Sequence, residues 1–217
     1  MYFGSRIEAG YKLAQELMAY RYENTIVVAL SDGGVQVGQQ IAAALHCAIT
    51  MLLVEDIEVP GESESFGSIN QSGRFTYNGM FSAGEIEAYY SEFHGYLDDQ
   101  RREKMSHINR LLGSGGIVDE SMLLGHNVVL VSDGLPNGSS LSAAADFLKP
   151  IRVQKLIVAA PLASVEAVDV AHMVGDELHI LSVTDNYLAT DHYYDVNDVP
   201  SHEATIAALN DIVLNWR

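Results

Sequence analysis

The 217-residue sequence predicts an α/β fold, an open and mainly parallel sheet flanked by helices, and three observations predict it. Several short runs are apolar throughout rather than at alternate positions: TIVVAL at 25–30, the VVLV of HNVVLVSDG at 126–134, and KLIVAAP at 155–161. Strands of that kind are covered on both faces, as in parallel sheets. Stretches with helical periodicity separate these runs, so strand and helix alternate along the chain. Gly, Ser, Asn and Asp gather where the strands end, at the edge where such sheets place ligands.

The elements follow in order. Residues 5–20 place Ile7, Leu13, Leu17 and Tyr20 at near-helical spacing behind a Ser5 cap. The strand at 25–30 turns through Ser31, Asp32, Gly33 and Gly34 into the helix VGQQIAAALH, and AITMLLVED supplies a second strand from about 48 to 54. Residues 55–80 are polar and glycine-bearing, with extended pieces FGSIN and GRFTYN, and are expected to form a hairpin-like flap or hood. A long helix is predicted from Ala83 to Leu112, ended by Gly113 to Gly116; its acidic first half and basic second half favour the helix dipole. Further on, SSLSAAADFLK is a helix stopped by Pro150, KLIVAAP a strand stopped by Pro161, SVEAVDVAHMV a helix and ELHILSV a strand. After the irregular DNYLATDHYYDVND, SHEATIAALNDIVLNW reads as a closing helix. With no repeat or linker in view, one domain is expected over 1–217.

Composition limits the function. Asp and Glu number 29 against 12 Lys and Arg, a formal charge of -17 that repels nucleic-acid backbones and anionic membranes. Cys47 is the single cysteine, in an apolar setting that reads as a buried structural thiol. No segment nears the about 18 apolar residues of a spanning helix, and the start MYFGSRIEAG lacks a leader pattern, so a cytoplasmic location is expected. The eight histidines form no compact ligand motif, and no metal-ligating residues are assigned. Asp98 and Asp99, adjacent on the long helix, read as solvated surface.

The most informative segment is VVLVSDGLPNGSSLSAA, residues 128–144. Gly134 lets the chain turn after Asp133, and Asn137, Gly138, Ser139 and Ser140 open the next helix. Consecutive amides and hydroxyls at a helix start can surround a phosphate, and Asp133 is placed to accept hydrogen bonds from sugar hydroxyls. The same residues also suit a plain strand-loop-helix cap, and both readings stay open.

In this loop the chain resembles the type I phosphoribosyltransferase family, and the likeness covers most of its length. Family members carry two adjacent acids, Gly, two variable residues, then Thr-Gly-x-Thr; the matching residues are Ser132, Asp133, Gly134, Leu135, Pro136, Asn137, Gly138, Ser139 and Ser140. ALSDGGVQVGQQIA resembles the early loop that contacts pyrophosphate, with Gly33 and Gly34 in place and Asp32 where relatives have arginine. VEDIEVPG resembles a segment that is often basic in relatives, and DHYYDVNDV their Tyr-rich C-terminal segment, where a tyrosine could stack on a base or pack in the core. The resemblance implies a role in nucleotide metabolism, Asp133 as the catalytic carboxylate, Gly33, Gly34, Asp133, Asn137, Gly138, Ser139 and Ser140 as ligand-binding residues, and magnesium as cofactor.

The departures imply impaired catalysis. Ser132 removes one acid, and Asp32 sets a carboxylate beside the leaving group, where a like-charge pair at about 4 Å and an effective dielectric near 20 costs about 4 kcal/mol. Glu55, Asp56 and Glu58 add negative character. The expectation is a catalytically impaired or repurposed pseudoenzyme whose remaining ligand is a nucleoside or ribose monophosphate. An active phosphoribosyltransferase and a noncatalytic homodimeric regulatory protein are the alternatives.

Overall fold

A computed structural model of the chain describes residues 2–61, 65–112, 118 and 120–215. The glycines expected to end the long helix, Gly113 to Gly116, lie outside them.

Helix α1 (Arg6–Glu16) is capped by Ser5, whose hydroxyl accepts from Glu8 N, and a 3-10 turn Met18–Tyr20 follows. The apolar stripe differs from expectation at its start: Arg6 is buried and Ile7 exposed. Strand β1 (Thr25–Ala29) leads into α2 (Asp32–Leu45), capped by Ser31, and β2 (Ala48–Met51) follows. The predicted flap is a separate three-stranded antiparallel sheet of β3 (Val54–Glu58), β4 (Ser65–Asn70) and β5 (Phe75–Tyr77). Helix α3 (Ala83–Leu112) has the expected length but leaves helical geometry at Phe93 (φ -115°, ψ 16°). Short α4 (Glu120–Leu123) precedes β6 (Asn127–Val131), α5 (Ser139–Leu148), β7 (Lys155–Ser164), α6 (Val165–Val174), β8 (Glu177–Thr184) and α7 (His202–Asn215).

The main sheet is parallel throughout, in the order β2-β1-β6-β7-β8. Alternation sends Val27, Val129 and Ile157 to a core shared with α1 and α2, and Val28, Leu130 and Val158 to a core shared with α5 and α6. Both faces are therefore covered, which is why these strands are apolar at every position; each such side chain contributes about 1.5–3 kcal/mol by leaving water.

One expectation is corrected. Pro161 does not stop β7, which runs on to Ser164. The regular ladder of β7 with β6 ends at Ala159, Pro161 falls just beyond it, and β7 continues along β8 through Ser164, meeting the segment after β6 again only at Leu135.

Candidate functional site

The strand order of the sheet brings the ends of β1 and β6 together, and with them Ser31, Gly33, Gly34 and Asp133. Asp133 is buried, and both its oxygens are engaged: Oδ1 accepts from the Ser31 hydroxyl at 2.7 Å, and Oδ2 from Arg6 Nε at 2.7 Å. The Arg6 guanidinium, 1% exposed, also donates through Nη2 to Asp191 Oδ1 (2.5 Å) and through Nη1 to Asn197 Oδ1 (3.0 Å). Its flat face lies 4.4 Å from the centroid of the Tyr194 ring, and the Tyr194 hydroxyl donates to the Asp133 carbonyl at 2.5 Å. Burial holds the phenols of Tyr187 and Tyr194 well above the ordinary tyrosine range, so both remain neutral donors.

Sequence reasoning missed Arg6. Its position in the first turn of α1, where a cation opposes the helix dipole, is only a weak signal and does not distinguish it from a solvated charge. The choice left open for the tyrosines resolves to packing, because Tyr193 and Tyr194 are buried in a small cluster with Phe3.

The predicted glycines serve the protein's own packing. A Cβ on Gly33 would lie 2.0 Å from Asp133 Oδ2 and 2.7 Å from Arg6 Nε, so only glycine lets this ion pair sit against the start of α2. A Cβ on Gly138 would lie 2.3 Å from Val170 Cγ2, and a Cβ on Gly34 2.9 Å from the Val131 carbonyl.

Asn137, Ser139 and Ser140 form a second group at the start of α5. Asn137 Oδ1 accepts from Ser139 N (3.1 Å) and the Ser139 hydroxyl (2.8 Å), closing a turn within the loop. The Ser139 hydroxyl also lies 3.0 Å from Asp56 Oδ1 on β3 and 3.0 Å from the Ser65 hydroxyl on β4. Asp56 Oδ1 accepts from Ser68 at 2.5 Å as well, and burial raises this carboxyl above its ordinary value. A protein carboxylate thus stands against the helix start where sequence places a phosphate. Ser140 is half-buried, and its hydroxyl makes no hydrogen bond among the described residues.

Ser132, the substituted acid, donates its hydroxyl to the Gly134 carbonyl at 2.7 Å. Asp32 is not a bare group facing the site: its Oδ1 lies 3.0 Å from His202 Nδ1 on α7. The Nε2 of His202 is buried and has no partner among the described residues. Glu55 is held by Lys104 (3.2 Å) and His107 (2.8 Å) of α3. Asp32, Glu55, His107 and His202 line a cavity of about 210 Å³ at the ends of β1 and β2. Among the described residues no three His, Cys, Asp or Glu are arranged to hold a metal ion, and no helix is long and apolar enough to cross a membrane.

Known proteins share this architecture. TT1426 from Thermus thermophilus is similar in structure with a TM-score of 0.74 and 26% sequence identity, covering 100% of this chain and 99% of that one. The AQ2163 protein of Aquifex aeolicus matches at a TM-score of 0.50 and 12% identity over 92% of this chain and 82% of that one, a likeness of fold alone. Proteins from two strains of Mycobacterium tuberculosis, provisionally named phosphoribosyl transferases, are 28% identical over 167 residues, 74% of this chain and 35% of theirs. The chain thus spans about a third of the length of the curated relatives it matches. The family model described as the phosphoribosyl transferase domain matches residues 5–173, and the chain belongs to that family.

Proposed function

We propose that this protein keeps the phosphoribosyltransferase fold but no longer transfers phosphoribosyl groups from phosphoribosyl pyrophosphate, and that any ligand it retains at the start of α5 carries a single phosphate. The observation that carries this reading is that the acids and donors the reaction would use already serve one another. Transfer requires a carboxylate free to hold ribose hydroxyls, donors free to hold the 5'-phosphate, and positive charge to stabilise the departing pyrophosphate. Asp133 has both oxygens in hydrogen bonds to Arg6 and Ser31. Ser139 is bonded to Asn137, Ser65 and Asp56. The leaving-group end is lined by Asp32 and Glu55, and its histidines and Lys104 are paired to those same acids.

Magnesium does not fit the residues present. For Oδ2 of Asp133 to coordinate a cation it would have to give up the Arg6 Nε–H, leaving that buried donor without its acceptor while Asp191 and Asn197 keep the other two nitrogens. Direct ligation by this carboxylate is therefore disfavoured, and no step is routed through the metal. The Ser140 hydroxyl and the free amides of the first turn of α5 remain for one phosphate, in competition with the Asp56 carboxylate.

The test is calorimetry with phosphoribosyl pyrophosphate, ribose 5-phosphate and nucleoside monophosphates, each with and without magnesium. No binding of the diphosphate and no pyrophosphate release with any purine or pyrimidine base are expected. Monophosphate affinity should be weak and should rise in Asp56→Asn. Micromolar binding of phosphoribosyl pyrophosphate with pyrophosphate release in the presence of a base would overturn the proposal.

A further inference from the structure

Strand β3 packs against β4 and α5, and this sets Asp56 among three buried serines, Ser65, Ser68 and Ser139. A hydroxyl donates one hydrogen and accepts two, so the hydrogens in such a group can be counted. Ser139 Oγ lies 2.8 Å from Asn137 Oδ1 and 3.0 Å from Asp56 Oδ1, with a single hydrogen to serve both. Asn137 cannot be turned to offer its amide hydrogens instead, because its Oδ1 also accepts from Ser139 N at 3.1 Å. The neighbouring serines have spent theirs: Ser65 donates to Ser139 Oγ at 3.0 Å, and Ser68 to Asp56 Oδ1 at 2.5 Å.

The group is therefore one hydrogen short when Asp56 is ionised. Either Asn137 or Asp56 then faces Ser139 lone pair to lone pair, an unmade bond inside the protein. A hydrogen on Asp56 Oδ1, donated to Ser139 Oγ, completes the set. Asp56 then bonds Ser139, Ser139 bonds Asn137, and Ser65 fills the second lone pair of Ser139.

We infer that Asp56 carries this hydrogen, and that an oxyanion entering at the start of α5 is held together with a proton on Asp56. The coupling to an anion rests on the monophosphate reading of this site. Its sign follows from charge: the ionised carboxylate repels the anion, and the neutral acid does not. Anion affinity is therefore highest below the Asp56 titration and falls above it, by up to about tenfold per pH unit for one linked proton. The surroundings favour the neutral form. Burial raises the carboxyl above its ordinary value; Glu55 on the same strand acts in the same direction, and Lys104 on α3 opposes them. His107 on α3 is paired with Glu55, Glu58 on β3 is exposed, and Asp146 further along α5 is bonded to Thr76. Neither β4 nor the first turn of α5 carries a charged side chain.

Inorganic sulfate is the probe, because its charge stays fixed where Asp56 titrates, whereas a phosphate monoester titrates itself at about pH 6. Carboxyl-carbon NMR identifies Asp56 as the signal lost in Asp56→Asn, and the amide signals of Ser139 and Ser140 report sulfate at the start of α5. The Asp56 signal should titrate above the ordinary aspartate range and move toward its protonated position when sulfate is added. Sulfate affinity should fall more steeply with pH in wild type than in Asp56→Asn. Ser139→Ala separates the two senses of the Asp56–Ser139 bond, and serves alone if Asp56→Asn does not fold. It should lower the Asp56 titration if the acid is the donor, and raise it if the serine is. An Asp56 signal in the ordinary range, or one that Ser139→Ala moves upward, overturns the inference. Equal pH slopes in wild type and Asp56→Asn overturn the coupling and leave the monophosphate site standing. Amides of Ser139 and Ser140 that sulfate moves at no pH remove that site, and the coupling with it.

Discussion

Replacing Arg6 by Ala should be among the most damaging single changes in this protein. The Arg6 side chain is 2% exposed and the Asp133 side chain 11% exposed, so truncation leaves a carboxylate inside the fold with only the Ser31 hydroxyl to hold it. Breaking one side of a buried ion pair destabilises by about 3–5 kcal/mol. For a domain of this size each kcal/mol lowers the melting temperature by about 2–4 °C, so a fall of about 6–20 °C is expected. Lysine should recover only part of this loss, because three diverging acceptors, Asp133, Asp191 and Asn197, are met by three different nitrogens of one planar group. The assay is urea unfolding followed by circular dichroism, run as a double-mutant cycle with Asp133→Asn. If Asp133 is structural, Arg6→Met with Asp133→Asn should be markedly more stable than the sum of the single effects predicts. An Arg6→Ala protein within about 1 kcal/mol of wild type, or a cycle without coupling, would refute the assignment of Asp133 as a structural anion.

Two other predictions concern acid groups. Burial raises the Asp56 carboxyl above its ordinary 3.8, so its ionised form opposes folding; wild type should gain stability as pH falls through the raised value toward 3.8. Asp56→Asn keeps a hydrogen-bonding group against Ser68 and Ser139 and should be more stable at pH 7 by on the order of 1 kcal/mol, the gap closing near pH 4 in urea titrations. Glu177 shows the opposite sign: hydrogen bonds from Tyr20, Lys155 and His179 hold it down to about 2 from 4.5. Its contribution is complete above pH 4.5 and is lost as pH falls toward about 2, so Glu177→Gln should lower stability near neutrality and match wild type at the acid end of the same titration.

Much of the fold was legible because the main sheet is written in fully apolar runs, and no other element explains TIVVA or NVVLV. The loop after β6 was equally legible, because its Gly, Asn and Ser residues have few uses besides turning the chain and opening a helix. What could not be read were the partners. Asp133 was correctly placed at the strand end, but its counterion comes from a residue 127 positions earlier, and a single arginine in an amphipathic helix looks like solvated surface until the fold buries it. Asp56 and Asp32 were read as excess charge because neither Ser139 nor His202 lies near them in sequence. Pro161 misled for a local reason: its effect on a strand depends on which neighbour the missing N–H would have met, and that is a property of the sheet.

The reach of Arg6 also bears on how the molecule is made. Its partners stand 127, 185 and 191 residues downstream, and Phe3 beside it pairs its backbone with Tyr194. Contacts of such separation require a large loss of chain entropy before they return anything, so they belong late in folding. A ribosome therefore releases α1 long before the segment that secures it exists, and during that interval the helix carries an unmatched guanidinium on the face destined for the interior. Chains interrupted before residue 191 should accordingly behave as collapsed, sticky intermediates rather than as smaller versions of the native protein.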